Sequence, residues 1–300
     1  MPAYCHFNRS CLQSQHGDIG TESICEGEDA MKRLILISGI WLALTMAWSE
    51  ALAAGVFEKA EYAARRLKLM EKIPDGAAVF LGAAAPADDR EFRQGHDFLY
   101  LTGVEIPDAC LIVDGTRKQS VLFFTMDEKS ADGEGIPLDL VRQPQAYTGI
   151  EKVLPAEQFG PNLIDLGLRT RVLYTMFKPE ELGPENANEK FNVLQQTMTL
   201  NPWDGRLTRE LQFVKQLKEK CPVADVRDCS ALVWDLRKIK SPAEIEVMRR
   251  AGRIGVAAHN ALIRSTRLGV AESDLAAVFE FVARLGGARA LAYDTILMSG

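Results

Sequence analysis

Residues 241–300 constrain the fold most, because their pattern predicts the beginning of a domain and not a complete one. Ser241 can cap a helix, and Pro242 presets the φ angle of the first helical residue. Glu244 stands at the reciprocal position of a capping box. Apolar or small residues then recur at helical spacing, which predicts a long helix with one buried face. The residues of this face are Ile245, Met248, Gly252, Val256, His259 and Ile263.

A second helix and a strand are predicted after this first helix. The second helix covers 273–285, and Gly286-Gly287 end it. Residues 291–300 then have a strand-like pattern, with no partner strand after them. Two helices and one strand cannot bury their apolar faces alone. We therefore expect this segment to be the opening of a larger domain that continues beyond residue 300.

Composition excludes some classes of protein. The chain has 300 residues, of which 47% are hydrophobic and 25% are charged, and these values are typical of a globular protein with one large or two modest domains. The formal net charge is -6 at pH 7, so composition provides no basic surface for nucleic acid.

The N-terminal part of the chain changes character at Met31. A basic start there precedes an apolar run at 34–48 and the small-residue site Ala51-Leu52-Ala53, which is the order of a secretory signal peptide. We therefore predict a signal peptide over 31–53 and an exported protein, periplasmic or secreted. The run is shorter than the roughly 20 residues of a bilayer span, so a permanent membrane anchor is the weaker alternative. Because a signal peptide lies at the N-terminus, we expect residues 1–30 to be a misassigned extension.

The cysteines leave two alternatives open. Without the signal peptide the chain begins near Ala54 and keeps Cys110, Cys221 and Cys229. Oxidising conditions outside the cytoplasm permit a disulfide between Cys221 and Cys229, whereas an extended segment between them would hold them too far apart. Cys110 lies in an apolar strand pattern and is predicted to be a small core residue. No Cys-x-x-Cys pair or grouped histidines indicate a zinc site.

Residues 54–230 mix helical and strand patterns, which predicts one α/β domain. A helix over 57–73 has the apolar positions Phe57, Ala60, Ala64, Leu67 and Met70. Predicted strands cover 77–81, 98–101, 110–113, 121–124, 152–154 and 171–174. The strands at 110–113 and 121–124 are expected to form an antiparallel hairpin. Residues 127–145 are predicted to be a surface loop, 206–220 a helix, and 231–240 a connector to the second domain.

Few side chains suggest chemistry. Asp88-Asp89 could act as paired carboxylates, but a solvated turn explains them better. Arg93, His96 and Asp97 could bind an anion or hold a loop, and they lack a nucleophile at defined spacing. His259 is predicted to be a hydrogen-bonded structural histidine. We therefore assign no catalytic, cofactor-binding or metal-binding residue.

Two motifs carry a family resemblance. Residues 92–103 read Phe-Arg-Gln-Gly-His-Asp-Phe-Leu-Tyr-Leu-Thr-Gly, followed by Pro107 and the strand patterns at 111–113 and 120–123. Residues 236–246 read Leu-Arg-Lys-Ile-Lys-Ser-Pro-Ala-Glu-Ile-Glu. In this order they resemble the N-terminal domain of aminopeptidase P and the start of the catalytic pita-bread domain of the creatinase/aminopeptidase P family. The resemblance implies an α/β protein with a mixed-sheet domain at 54–230, followed by an incomplete α+β pita-bread domain at 231–300.

The resemblance also implies a function. It implies a metallo-aminopeptidase that removes a residue before proline, with two divalent metal ions such as Mn²⁺ held by two Asp, one His and two Glu. Those ligands are expected beyond residue 300, so this chain alone is expected to be inactive. Peptides with proline at the second position are the implied substrates, and a homo-oligomer is the implied assembly. The alternatives are a metal-free hydrolase of the same fold such as creatinase, or a non-catalytic relative that binds peptides.

Overall fold

The computed structural model describes residues 56–86, 92–178, 203, 207–292 and 295–298. The chain divides into two units, 1–53 and 54–300, and the first lies wholly outside the described residues. The predicted signal peptide and Asp88-Asp89 also lie outside them. Within the described ranges, no helix has the length and apolar character needed to cross a membrane.

A six-stranded mixed sheet forms the centre of the second unit. Its strands are β1 (Gly76–Leu81), β2 (Cys110–Asp114), β3 (Gln119–Phe123), β4 (Lys152–Leu154), β5 (Val172–Thr175) and β6 (Asp225–Asp228). The order across the sheet is β4-β3-β2-β1-β5-β6. The pairs β1–β2 and β2–β3 are antiparallel, whereas β3–β4, β1–β5 and β5–β6 are parallel. The predicted hairpin and five of the six predicted strands are thereby confirmed.

Ten helices of the described residues surround or follow this sheet. They are α1 (Lys59–Lys72), α2 (His96–Thr102), α3 (Glu128–Gly133), α4 (Leu138–Arg142), α5 (Pro144–Thr148), α6 (Phe159–Arg169), α7 (Arg209–Lys220), α8 (Ser230–Lys238), α9 (Pro242–Ser265) and α10 (Glu272–Leu285). A short 3₁₀ helix, Ala156–Gln158, precedes α6.

The sheet separates two apolar cores, because successive side chains of a strand point to opposite faces. Phe80 of β1 belongs to the core beneath α1, α2 and α8, whereas Val79 belongs to the core beneath α6 and α7. Cys229 lies in the first core and Cys221 in the second, and both thiols are free. The disulfide alternative is therefore wrong for this structure, because the sheet stands between the two sulfur atoms.

The third cysteine is half-buried in β2. Burial raises the pKa of the Cys110 thiol to about 12, although Arg209 opposes the shift. Such a thiol is inert at neutral pH, because the thiolate is the reactive form. The prediction that Cys110 is a core residue of a strand is close to the observed position, at the edge of the second core.

Two predicted segments have a different secondary structure. The run 98–101 belongs to α2 and not to a strand, because Phe98, Leu101 and Thr102 share the buried side of a helix that Gly103 ends in the left-handed conformation. The predicted loop at 127–145 contains α3, α4 and the start of α5 instead. Its turn-forming residues cap these short helices: Asp127 accepts a hydrogen bond from the Ser130 backbone, and Pro144 is the first residue of α5.

The connector and the face of α1 also differ from expectation. Residues 231–240 are mostly helix α8, and Val233 is fully buried in the first core. In α1 the predicted apolar position Leu67 is 52% exposed, and only Met70 of the predicted face is fully buried. The buried face instead contains Tyr62, Arg65, Arg66, Leu69 and Met70.

The two predicted helices are confirmed as α9 and α10, with the predicted start of α9 after Ser241 and the predicted end of α10 at Leu285. Ser241 and Glu244 form both hydrogen bonds of the capping box. The two helices pack on each other, but the apolar stripe of α9 is largely exposed, with Met248 at 57% and Val256 at 62%. The predicted strand over 291–300 is wrong for the described residues 291–292 and 295–298, which are irregular because no described strand pairs with them.

Candidate functional site

The most unusual group of the described residues is a buried arginine where α1, α2 and the start of α9 meet. The Arg65 side chain is 4% exposed. Its guanidinium lies 4.6 Å from the ring centre of Phe57, 5.2 Å from that of Tyr62 and 4.3 Å from that of Tyr100. Cations attract the faces of aromatic rings, and this attraction is strongest where water is excluded.

Arg65 also forms ion pairs and hydrogen bonds within this aromatic surround. It donates to the Tyr100 carbonyl at 3.1 Å and pairs with Glu61 at 3.2 Å. Its other ion pair, with Glu244 at 3.3 Å, crosses from α1 to the first turn of α9. The second oxygen of the same carboxylate accepts a hydrogen bond from the Ser241 backbone at 2.8 Å. One carboxylate therefore caps α9 and attaches it to the first domain.

A second buried ion pair attaches α8 to α2. Asp97 is fully buried at the start of α2 and accepts hydrogen bonds from Trp234 and Arg237 of α8. The Tyr100 hydroxyl donates to the Leu236 carbonyl at 3.2 Å. Burial raises the pKa of Tyr100, and Arg65 partly offsets this shift. Because the pKa is raised, the hydroxyl stays protonated and can donate this hydrogen bond. We call these contacts of Arg65, Asp97 and Tyr100 with α8 and α9 the joint.

The motif at 92–103 builds the surface that supports the joint. The Gln94 side chain accepts hydrogen bonds from the backbone of Ala83 and Gly95 and donates to the Ile106 carbonyl. Gly103 has a φ of 69°, and a Cβ atom there would lie 2.5 Å from the Tyr62 ring. The motif therefore works by ordering loops and closely packed elements.

Gly103→Ala is expected to lower the free energy of unfolding by about 2–3 kcal/mol, because it adds a clash with Tyr62 to the cost of a positive φ. Gly135→Ala is the matched control, since Gly135 has a φ of 67° and no atom lies within 4 Å of its added Cβ. Urea denaturation of both variants measures the difference. Equal losses in the two variants would show that the Tyr62 contact contributes nothing.

A second group of contacts lies at the other end of the helix pair. Arg289, just after α10, donates to both carboxylate oxygens of Glu105 at 2.9 and 2.8 Å and to the Phe92 carbonyl at 3.4 Å. Arg93 donates to the Leu291 carbonyl at 3.1 Å. We call these the distal contacts. They are exposed, whereas the joint is buried.

The structure separates the sequence-derived candidates into different roles. Arg93 belongs to the distal contacts, Asp97 belongs to the joint, and His96 is exposed at the start of α2. The three therefore do not form one anion site. His259 is hydrogen-bonded as predicted, with Nδ1 2.8 Å from the Gly255 carbonyl, and its ring packs edge-on against Phe279. It is exposed and not buried as predicted, because the Phe279 ring covers only part of it.

Arg65, Trp234 and Arg237 were not predicted to belong to this site. The sequence feature that marks Arg65 is the pair Arg65-Arg66 within an amphipathic helix. It did not indicate a buried residue, because charged side chains are expected to face solvent. These residues hold α8 and α9 in position. Among the residues described, no group of three His, Cys, Asp or Glu side chains could hold a metal ion.

A small cavity of about 50 Å³ lies at the ends of β1 and β5. Arg209 and Glu210 are the charged residues that line it, together with apolar side chains such as Phe80 and Met176. Arg209 is already hydrogen-bonded to the Gly82 carbonyl. The cavity has room for little more than water and provides no arrangement of acid, base and nucleophile.

In this structure a mixed α/β domain is followed by the helices α9 and α10, and the joint attaches the start of α9 to that domain. Residues 62–218 match the family described as "Aminopeptidase P, N-terminal domain", and residues 246–300 match "Metallopeptidase family M24". The chain belongs to the aminopeptidase P family. The boundary between the two matches contains α8 and the start of α9, where the joint lies.

Individual relatives agree with this assignment. The chain is 27% identical over 251 residues to the Xaa-Pro aminopeptidase of Escherichia coli, covering 80% of this chain and 52% of that protein. It is 26% identical over 259 residues to human Xaa-Pro aminopeptidase 3, covering 80% of this chain and 47% of that protein. The solved structure of proline aminopeptidase P II from Yersinia pestis matches with a TM-score of 0.55 and 26% identity, covering 78% of this chain and 51% of that one. The chain thus spans about half the length of these relatives.

Proposed function

We propose that this chain is part of a metal-dependent Xaa-Pro aminopeptidase, which releases an N-terminal residue that precedes proline. One observation carries the proposal: the aminopeptidase P and metallopeptidase matches follow each other in one chain, with the joint between them. The relatives aligned over 80% of this chain are named Xaa-Pro aminopeptidases.

Proline at the second position demands a specialised site. Its amide is tertiary, so it lacks the N–H group that general peptidases bind, and its ring fixes φ. An Xaa-Pro peptidase must therefore be shaped for the imide and cannot rely on that donor.

The described residues contribute positioning to this activity. Among them, no group of three His, Cys, Asp or Glu side chains could hold a metal ion. We propose two divalent metal ions, such as Mn²⁺, bound by residues outside those described. Such ions supply a deprotonated water as nucleophile and polarise the scissile carbonyl. The joint would fix the first helix of that metal-binding domain against the α/β domain.

To test this proposal, the whole protein is expressed and supplied with Mn²⁺. Its rates of hydrolysis of Xaa-Pro-Xaa peptides, Xaa-Ala-Xaa peptides and creatine are then compared. Cleavage before proline that a chelator abolishes is the expected result, with the 300-residue chain inactive in the same assay. Creatine hydrolysis that resists the chelator would contradict the proposal and favour the creatinase alternative. Binding of peptides without cleavage would favour a non-catalytic relative. Sedimentation of the same material tests the proposed homo-oligomer.

We also propose export of the mature protein, supported by the basic start, apolar run and small-residue site within 31–53. Translation would start at Met31, and processing would leave Ala54 at the N-terminus. N-terminal sequencing of exported material is the measurement. A mature protein that retains Cys5, Cys11 and Cys25 would contradict the proposal.

A further inference from the structure

The helix pair α9 and α10 is attached to the α/β domain mainly by polar contacts at two places. The joint holds the start of α9, and the distal contacts hold the residues that follow α10. Between these places the two helices pack on each other, and no other described helix or strand packs extensively on either. The position of the pair therefore depends on charged groups more than on a shared apolar core.

The two attachments differ in exposure and therefore in strength. The Arg65 and Glu244 side chains are 4% and 18% exposed, whereas those of Arg289 and Glu105 are 58% and 34% exposed. Salt screens exposed charges strongly and buried pairs much less. Exposed ion pairs also contribute little, because water competes for both partners. We therefore expect salt to break the distal contacts while the contacts of the joint stay formed.

We propose that α9 and α10 move as one body about the joint, and that the distal contacts are a releasable latch that holds this body against the α/β domain. Arg289 with Glu105 and Arg93 with the Leu291 carbonyl form the latch. Its release leaves the capping box of α9 intact, since Ser241 and Glu244 belong to the joint. The proposal rests on contacts within this chain and not on the proposed peptidase activity.

The experiment measures the distance between two nitroxide labels on the full 300-residue chain. Labels at Lys129→Cys in α3 and Arg267→Cys, between α9 and α10, occupy exposed positions on the two bodies. Cys5, Cys11 and Cys25 are replaced by serine to prevent labelling there. Burial raises the pKa of the remaining thiols Cys110, Cys221 and Cys229, so they should react slowly with the label.

Replacing both Arg93 and Arg289 with methionine is expected to raise the ratio of open to closed distances about two- to fivefold, because it removes one exposed ion pair and one exposed hydrogen bond. Added NaCl at about 1 M should produce the same rise in the parent chain and no further rise in the variant. Glu105→Arg alone should open the latch, and combining it with Arg289→Glu should close it again.

Arg142→Met is the matched control, because the Arg142–Glu128 pair is also exposed, at 50% and 54%, but lies within the α/β domain. It should leave the distance distribution unchanged. One distribution common to all variants and salt concentrations would overturn the proposal. So would an equal rise in the Arg142→Met control, or a charge-swapped pair that stays open. Because no arm measures peptide cleavage, these results are independent of the test of the proposed function.

Discussion

Arg66→Met is expected to lower the free energy of unfolding by about 3 kcal/mol, because two backbone carbonyls lose their donor. The Arg66 residue is 1% exposed. It donates to the Leu101 carbonyl at 2.9 Å and to the Gly149 carbonyl at 3.2 Å, which joins α1 to the end of α2 and to the turn after α5. Burial lowers the pKa of this guanidinium, partly offset by Glu151, but an arginine stays charged at any ordinary pH.

Lys68→Met is the matched control for this substitution, because it removes a positive charge from an exposed position of the same helix. It should change the free energy of unfolding by less than about 0.5 kcal/mol. Urea denaturation at constant ionic strength compares the two variants. If Arg66→Met and Lys68→Met are equally stable, the two carbonyl contacts do not stabilise the fold.

Asp97→Ala is expected to cost about 3 kcal/mol as well. Removing one partner of a buried ion pair leaves the other without compensation, which costs about 3–5 kcal/mol in fully buried pairs. The lower end applies here, because Asp97 is 1% exposed whereas the Arg237 side chain is 35% exposed. The substitution also removes the acceptor for the Trp234 indole.

Asp97→Asn separates these two contributions. An asparagine oxygen can still accept from Trp234 but cannot form an ion pair with Arg237, so an intermediate loss of stability is expected. Asp132→Ala, at an exposed position of α3, controls for the loss of a negative charge. A stability of Asp97→Ala equal to that of Asp132→Ala would contradict the structural role of the buried carboxylate.

Local patterns were sufficient to predict much of the fold. The capping box at Ser241 and Glu244 depends on residues within one helical turn, and the hairpin of β2 and β3 depends on a short link, so both could be predicted. The short apolar run of α2 fits both a strand and a helix, and only its burial in the first core decides between them. In 127–145, glycine and proline predict a loop, whereas in the structure Gly133 is the last residue of α3 and Pro144 the first of α5.

The joint could not be predicted, because each of its contacts connects residues far apart in sequence. Asp97 and Arg237 are separated by 140 positions. Arg65 is a charged residue for which sequence rules predict exposure, and it is buried only because aromatic rings, a carbonyl and carboxylates from three elements surround it. Such compensation is a property of tertiary structure. The motif at 92–103 identified the family, while the structure shows what several of its residues do.

Arg65 and Glu244 join the α/β domain to α9 in this structure. A double-mutant cycle with Arg65→Met and Glu244→Gln tests this attachment most directly, since glutamine preserves the capping box while removing the charge. The cycle with Glu61→Gln, the other carboxylate paired with Arg65, serves as the comparison. We predict a coupling free energy of about 1–2 kcal/mol between Arg65 and Glu244, larger than that of the i,i+4 pair with Glu61, at about 0.3–0.5 kcal/mol. Additive losses for Arg65 and Glu244 would contradict the claim and show that α9 is not attached through this pair.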